Sequence, residues 1–255
     1  MTAQSGLTQI KWNRWLEAQR YERAFWHRQA RDIENGTSRQ LDWYDWKAQQ
    51  LEERLALLPA PISKTGKVLE IGSGPIGIVN ALSWGERYAI DPLEDFYSKT
   101  PSLIGMRKPG PTYLTGTGES LPFENDSCAL VIIENVIDHT FAPGKILQEI
   151  SRILEPRGVL YLLVNVHTAW GAFLHDVLAT LRIDRGHPYT FTTAALRELL
   201  TQNGFAIQLE DVGVYEEARQ ADRRSDSVRA KVKGYSGLSE FSHAVYCRKS
   251  AHREA

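Results

Sequence analysis

Cysteine is nearly absent from this 255-residue chain: Cys128 and Cys247 are the two, set far apart in hydrophobic runs. That excludes a disulfide framework and fits a reducing compartment. An excess of charge is missing as well, since thirty Lys and Arg balance thirty-one Asp and Glu for a net charge of −1. No net field draws such a chain to a phosphate backbone or to anionic lipid, so neither nucleic acid nor a membrane is an expected partner. Long apolar runs are lacking too. The longest, residues 159–166, is far short of the ~20 needed to span a bilayer, and residues 1–12 have no apolar core of a secretory signal. The expectation is a cytoplasmic protein built on one large domain with room for a sizeable core.

Tryptophan is not scarce, and it is unevenly placed. Trp12, Trp15, Trp26, Trp43 and Trp46 put five of the seven in the first 46 residues. Interleaved charges (Arg14, Glu17, Arg20, Glu22, Arg23) and the absence of glycine between Gly6 and Gly36 favour a helix there, with a break at Asn35-Gly36-Thr37-Ser38. Tyr44, Ala48, Leu51, Leu55 and Leu58 then recur at spacings of four and three, one stripe of a second helix that Pro59 and Pro61 end. The segment 1–62 reads as an N-terminal helical extension. Its aromatics either pack on a core or form a lid over a cleft, with Trp12 and Trp15 as candidate substrate contacts.

From Gly66 short apolar runs alternate with helical patterns, as in β-α-β units around a mostly parallel sheet. Strands are predicted at 68–71, 88–90, 113–115, 129–133, 159–166, 206–212 and 242–247, and helices at 76–84, 144–154 and 193–203, the last closed by Gly204. The fold class is thus α/β, a doubly wound seven-stranded sheet over residues 63–255. A charged stretch near 215–235 reads as a solvated helical insertion, or else as a contact for an anionic acceptor.

Val68-Leu69-Glu70-Ile71-Gly72-Ser73-Gly74-Pro75-Ile76-Gly77 sets a glycine-rich turn between the first strand and the first helix predicted after it. Glycine there permits positive φ and lets a ligand approach the backbone. Asp91 ends the second strand nineteen residues after Gly72, near the ~20 expected for a carboxylate that accepts from ribose hydroxyls. This pair points to a nucleoside cofactor without separating a nicotinamide dehydrogenase from an enzyme that uses S-adenosylmethionine.

Further blocks come in order: Gly116-Thr117-Gly118-Glu119-Ser120-Leu121-Pro122-Phe123, then Ala129 to Asn135 and on to Val136-Ile137-Asp138-His139, then Ile150-Ser151-Arg152-Ile153-Leu154-Glu155-Pro156-Arg157-Gly158. With Glu70 two residues before Gly72, the set resembles the class I S-adenosylmethionine-dependent methyltransferases, in particular the small-molecule, ubiquinone-biosynthesis-like type 11 subgroup. The resemblance covers about residues 66–205 and implies S-adenosylmethionine as cofactor. It implies that Gly72, Ser73, Gly74 and Gly77 lie against the methionine end and that Glu70 helps orient its ammonium group. Asp91 and Pro92 would flank the ribose, Thr117, Gly118 and Glu119 the adenine, and Asn135 would meet the cofactor through its backbone. Two departures stand out: Pro75-Ile76 lengthens the loop before Gly77, and Thr117 stands where relatives carry Asp.

Methyl transfer from a sulfonium asks the protein mainly for alignment and exclusion of water. A hydroxyl or protonated amine acceptor also needs a base, for which histidine suits neutral pH. His139 beyond the fourth strand, His167 after the fifth and His187 in a later loop are the candidates, with Tyr189 a candidate substrate contact. His175 sits in a predicted helix, and no carboxylate spacing calls for a metal. The reading is transfer of a methyl group to an O or N atom of a small molecule. A nicotinamide-dependent oxidoreductase and a non-catalytic S-adenosylmethionine-binding protein are the alternatives.

Overall fold

The computed structural model describes residues 12–37, 43–180 and 188–250. Two helices lead, α1 (Trp12–Glu34) and α2 (Trp43–Leu55). Next come β1 (Lys67–Ile71), β2 (Glu86–Asp91), the one-turn helices α3 (Glu94–Tyr97) and α4 (Pro101–Ile104), and β3 (Thr112–Thr115). The second half runs β4 (Cys128–Glu134), α5 (Pro143–Ile153), β5 (Leu154–Val166), α6 (Ala169–Thr180), α7 (Thr193–Gln202) and β6 (Phe205–Val212). It closes with α8 (Tyr215–Arg224), α9 (Val228–Ser236) and β7 (Phe241–Lys249). The strands form one sheet in the order β3-β2-β1-β4-β5-β7-β6. The β1 to β5 pairs are parallel, and β7 runs antiparallel to both β5 and β6. The chain reverses direction of travel across the sheet between β1 and β4, and ligands bind at such switch points beyond the strands' carboxyl ends.

A parallel sheet must be covered on both faces, and strand side chains alternate between them. Leu69 and Ile71 of β1, Val131 and Ile133 of β4, and Leu160, Leu162 and Val164 of β5 fill one face. There they meet Ile146, Leu147 and Ile150 of α5 and Leu196, Leu199 and Leu200 of α7. Val68, Leu130, Ile132, Val159 and Tyr161 fill the other.

On that second face the sequence expectation fails. The helix predicted over 76–84 is absent: only a 3-10 turn, Ile78–Asn80, interrupts the fourteen residues between β1 and β2. Gly72, Gly74, Gly77 and Gly85 all hold positive φ, so most of the crossover is spent in turns. Between them Ile76, Ile78 and Val79 are β-branched and stiff. Glu70 Oε2 accepts the Val79 N–H at 2.9 Å, taking an amide that a helix would have used internally. Asn80, buried, bonds instead to the Met106 carbonyl and the Lys108 N–H. The vacant stretch of sheet is covered by α2, whose Tyr44, Ala48, Leu51 and Leu55, with Leu58 just beyond, pack on it along the stripe read from the sequence.

A smaller difference arises from strand pairing. β5 starts at Leu154, because Cys128 pairs with Leu154 and Leu130 with Val159, so Glu155 to Gly158 form a bulge inside the strand. The charged stretch folds as α8 and α9, and α8 buries none of its residues.

Candidate functional site

Above the carboxyl ends of β1, β2 and β4 lies a cavity of about 550 Å³, within the size range of small-molecule sites. Its floor is made by strand tips: Gly72, Ser73 and Gly74 after β1, Asp91, Pro92 and Leu93 at β2, and Glu134, Asn135, Val136 and His139 after β4. The loop conformation is set by close approach. A Cβ on Gly72, at φ +67°, would sit 2.3 Å from Val136 Cγ2, and one on Gly77, at φ +81°, would sit 2.7 Å from Glu70 Oε2.

Asp91 is held by its neighbours rather than by a counter-ion. Oδ2 accepts the Gly74 N–H at 3.0 Å and Oδ1 the Leu93 N–H at 2.8 Å. Burial raises its pKa to about 7 against those two hydrogen bonds. Glu70 is raised to about 7 for the same reason, desolvation outweighing the amides of Val79 and Ile78. Glu70 and Gly77 do not line the cavity: they lie beneath the loop, the carboxylate accepting the Val79 N–H, and the far side of the cavity is made by other side chains.

Those side chains come from the N-terminal helices. Ala18, Gln19, Glu22, Phe25, Trp26 and Gln29 of α1, with Trp43, Tyr44 and Lys47 of α2, wall the cavity opposite the strand tips. Lys47 forms an ion pair with Glu134, 87 residues away. Trp26 is buried, gives its indole N–H to Glu22 at 2.9 Å and meets Tyr97 edge-on at 5.8 Å. The Tyr44 hydroxyl lies 3.5 Å from the Ser73 carbonyl, and burial near Glu70, Glu134 and Asp91 holds that phenol protonated. The aromatic excess pointed to this segment, but nothing in the spacing marked Glu22, Tyr44 or Lys47 as cavity residues.

A narrower slot of about 50 Å³ adjoins the cavity and shares Gln19, Gly72, Pro92, Val136 and His139 with it. Thr117, Gly118, Glu119 and Trp15 also line it. Glu119 Oε1 accepts the N–H groups of Phe141 and Ala142, where a carboxylate suits the start of α5. Trp15 therefore faces the slot, while Trp12 lines neither space and stacks on Trp15 at 4.7 Å, half exposed.

Past Asn135 and His139 a polar niche of about 50 Å³ opens between the ends of β4 and β5. Asp138, Asn165, His167, His175, Tyr189, Thr190 and Glu240 line it. Asp138 is buried, and its Oδ1 meets no hydrogen-bond donor among the described residues. His139 Nε2 stands 3.6 Å from Asp138 Oδ2 and His167 Nε2 3.8 Å from Glu240 Oε1. The Tyr189 hydroxyl donates to the Phe141 carbonyl at 3.0 Å. Of the three candidate bases, His139 alone borders cavity, slot and niche; His167 borders the niche, and His187 lies outside the described residues. No group of three metal-ligating side chains forms among the described residues.

A 3-2-1-4-5-7-6 sheet with an antiparallel β7, and a ligand-sized cavity across the tips of β1, β2 and β4, define the architecture of class I methyltransferases. Residues 69–162 match the model of the methyltransferase domain family. An uncharacterized methyltransferase from Mycobacteroides abscessus is 28% identical over 106 residues, 40% of each chain. Among solved structures, a candidate methyltransferase from Bacillus halodurans is 19% identical over 80% of this chain and 99% of its own, with a TM-score of 0.57. Geranyl diphosphate methyltransferase in complex with S-adenosylmethionine is 14% identical over 79% and 85%, with the same TM-score. Residues 69–162 thus resemble a methyltransferase domain, and the fold is shared with those solved methyltransferases. The chain spans about two fifths of the length of the curated relatives it matches.

Proposed function

We propose that this protein transfers a methyl group from S-adenosylmethionine to an oxygen or nitrogen atom of a small-molecule acceptor. The observation that carries the reading is the buried Asp91 carboxylate at the tip of β2, facing a ligand-sized cavity whose floor is backbone freed of Cβ atoms at Gly72 and Gly74. The residues present fit the cofactor. Asp91 would take the ribose hydroxyls, and the slot beside Thr117, Gly118 and Glu119, apolar at Ile71 and Ile146, would take the adenine. Lys47 offers a cation, and Glu22 and Glu134 offer carboxylates, for the zwitterionic methionine end. When bound, S-adenosylmethionine supplies a methyl group already activated by positive sulfur. What this chain adds is position: Trp26 and Tyr44 close the space over the strand tips and keep water out. His139, bordering both cavity and niche beside Asp138, would receive the acceptor's proton.

α1 and α2 then serve as the part that completes the site. The two buried free thiols, Cys128 and Cys247, support a reducing cytoplasmic setting, and no helix among the described residues is long and apolar enough to cross a membrane. The test is calorimetric binding of S-adenosylmethionine, followed by a screen of a cell extract for metabolites that gain one methyl group. Asp91→Ala removes charge-assisted hydrogen bonds and weakens cofactor binding by roughly 1.5–3 kcal/mol. A folded wild type with no detectable binding overturns the reading.

A further inference from the structure

The near-zero net charge hides a local surface. α9 carries Val228, Val232 and Tyr235 at positions i, i+4 and i+7, which fall within about 60° of one another around a helix. Val228 is 77% and Tyr235 71% exposed, with Val232 also open to solvent. The opposite side of α9 is the one that packs. Gly234 is buried, its carbonyl accepts from Arg219 and Arg223 of α8, and a Cβ there would strike Arg223. α9 contains no acidic residue. Arg229 and Lys231 flank the apolar stripe on its two sides, and neither meets a carboxylate within ion-pair distance among the described residues.

A second stripe adjoins it. Trp170, Phe173 and Val177 lie at i, i+3 and i+7 on α6, again within about 60°, and all three are exposed, Trp170 and Phe173 at 58%. The helices meet where the Trp170 indole donates to the Ser236 carbonyl at 3.2 Å, at the end of α9. From another side, α6 delivers His175 to the polar niche beside His139.

We propose that α6 and α9 form a docking surface for an anionic lipid bilayer. Aromatic and aliphatic side chains flanked by unpaired basic ones on a helix of low overall hydrophobicity are the physical signature of a helix lying in a membrane interface, and Trp and Tyr suit the headgroup level. Charge complementarity selects the occupant: Arg229 and Lys231 are attracted to acidic headgroups, whereas a two-fold contact of this face with a second copy would bring like charges together. The surface is peripheral, and no spanning segment is involved. It also sets the lipid-facing stripe of α6 on the helix that reaches the niche, a short path for an amphiphilic acceptor.

The full chain is tested by flotation with vesicles of phosphatidylcholine alone and of phosphatidylcholine mixed with phosphatidylglycerol. The expected result is binding to the mixed vesicles only, falling as salt is raised. Phe173→Ser with Val232→Ser, and separately Arg229→Glu with Lys231→Glu, each weaken it about tenfold or more. Circular dichroism melting shows whether each variant is folded, and the charge pair keeps the test decisive if the apolar pair is not. Trp46→Ser, on the exposed part of α2, leaves binding unchanged. Absence of binding by the wild type, wild-type binding by both folded double variants, or loss through Trp46→Ser overturns the proposal. So does a sedimenting dimer that Phe173→Ser breaks without any vesicle binding.

Discussion

The cavity has two walls of different origin. The strand-tip wall, Gly72 to Gly74, Asp91, Pro92 and Asn135, is made of backbone turns that directly continue the paired strands β1, β2 and β4. The helical wall, Glu22, Trp26, Tyr44 and Lys47, is held in place only by contacts reaching far along the chain, such as Lys47 to Glu134 and Tyr44 to Ser73. A site can therefore be rigid on one side because its turns continue a paired sheet and on the other only because the whole domain has folded. The strand-tip wall breaks through strain, and the helical wall breaks through lost partners.

Gly72→Val attacks the first wall hardest. It forces a β-branched residue to φ +67° and a Cβ to 2.3 Å from Val136, a combined cost of roughly 2–5 kcal/mol. Urea unfolding measures it, and adding Val136→Ala recovers the steric part but not the φ strain. On the second wall, Lys47→Met leaves Glu134, 9% exposed at its side chain, facing the cavity without its cation. With Lys47 itself 27% exposed, solvent reduces the loss to about 1–2 kcal/mol, and Lys47→Met with Glu134→Gln restores most of it.

A subtler contrast is in pH. Glu70 and Asp91 have pKa values near 7 when folded, raised by burial above the ordinary carboxylate range. The folded state then binds more protons than the unfolded one from about pH 4 to 7. Their contribution to stability is full below that window and is lost as pH rises through about 7. Glu70→Gln removes one such proton, so its melting temperature should fall less steeply than the wild type's between pH 5 and 8; parallel slopes would refute the assignment. The smallest effect belongs to Trp46→Ser. Trp46 is 62% exposed and lines neither the cavity nor the slot, so its stability change stays within about 0.5 kcal/mol, whereas Trp26→Ser, at a buried site, costs several times more.

The same division decides what could be read from the sequence. Alternating apolar runs located every strand to within a few residues, and the stripe of α2 was legible because a helix's buried face repeats locally. Gly72, Gly74 and Asp91 were legible as cavity-lining positions because turn chemistry and strand ends leave short-range marks, whereas Gly118 came in through the family resemblance. The helix expected over 76–84 failed because Glu70 and Asn80 offered its amides and side chains partners outside the segment. Glu70 came in through the family motif, and its carboxylate accepts the Val79 N–H beneath the turn. Lys47 carried no mark, since its meaning depends on a strand tip that arrives much later in the chain. The exposed stripe of α9 was obscured by the charges around it.

The short crossover after β1 bears on how the molecule could be cut. Because α2 occupies the ground that a crossover helix would have covered, a fragment beginning at residue 63 would present Leu130, Ile132, Val159 and Tyr161 to water as one apolar plate. The stretch that matches the family model, 69–162, thus leaves out the helix that covers one face of its sheet. During synthesis α2 emerges before the sheet it will cover, which leaves its apolar stripe in need of shelter until β5 is made.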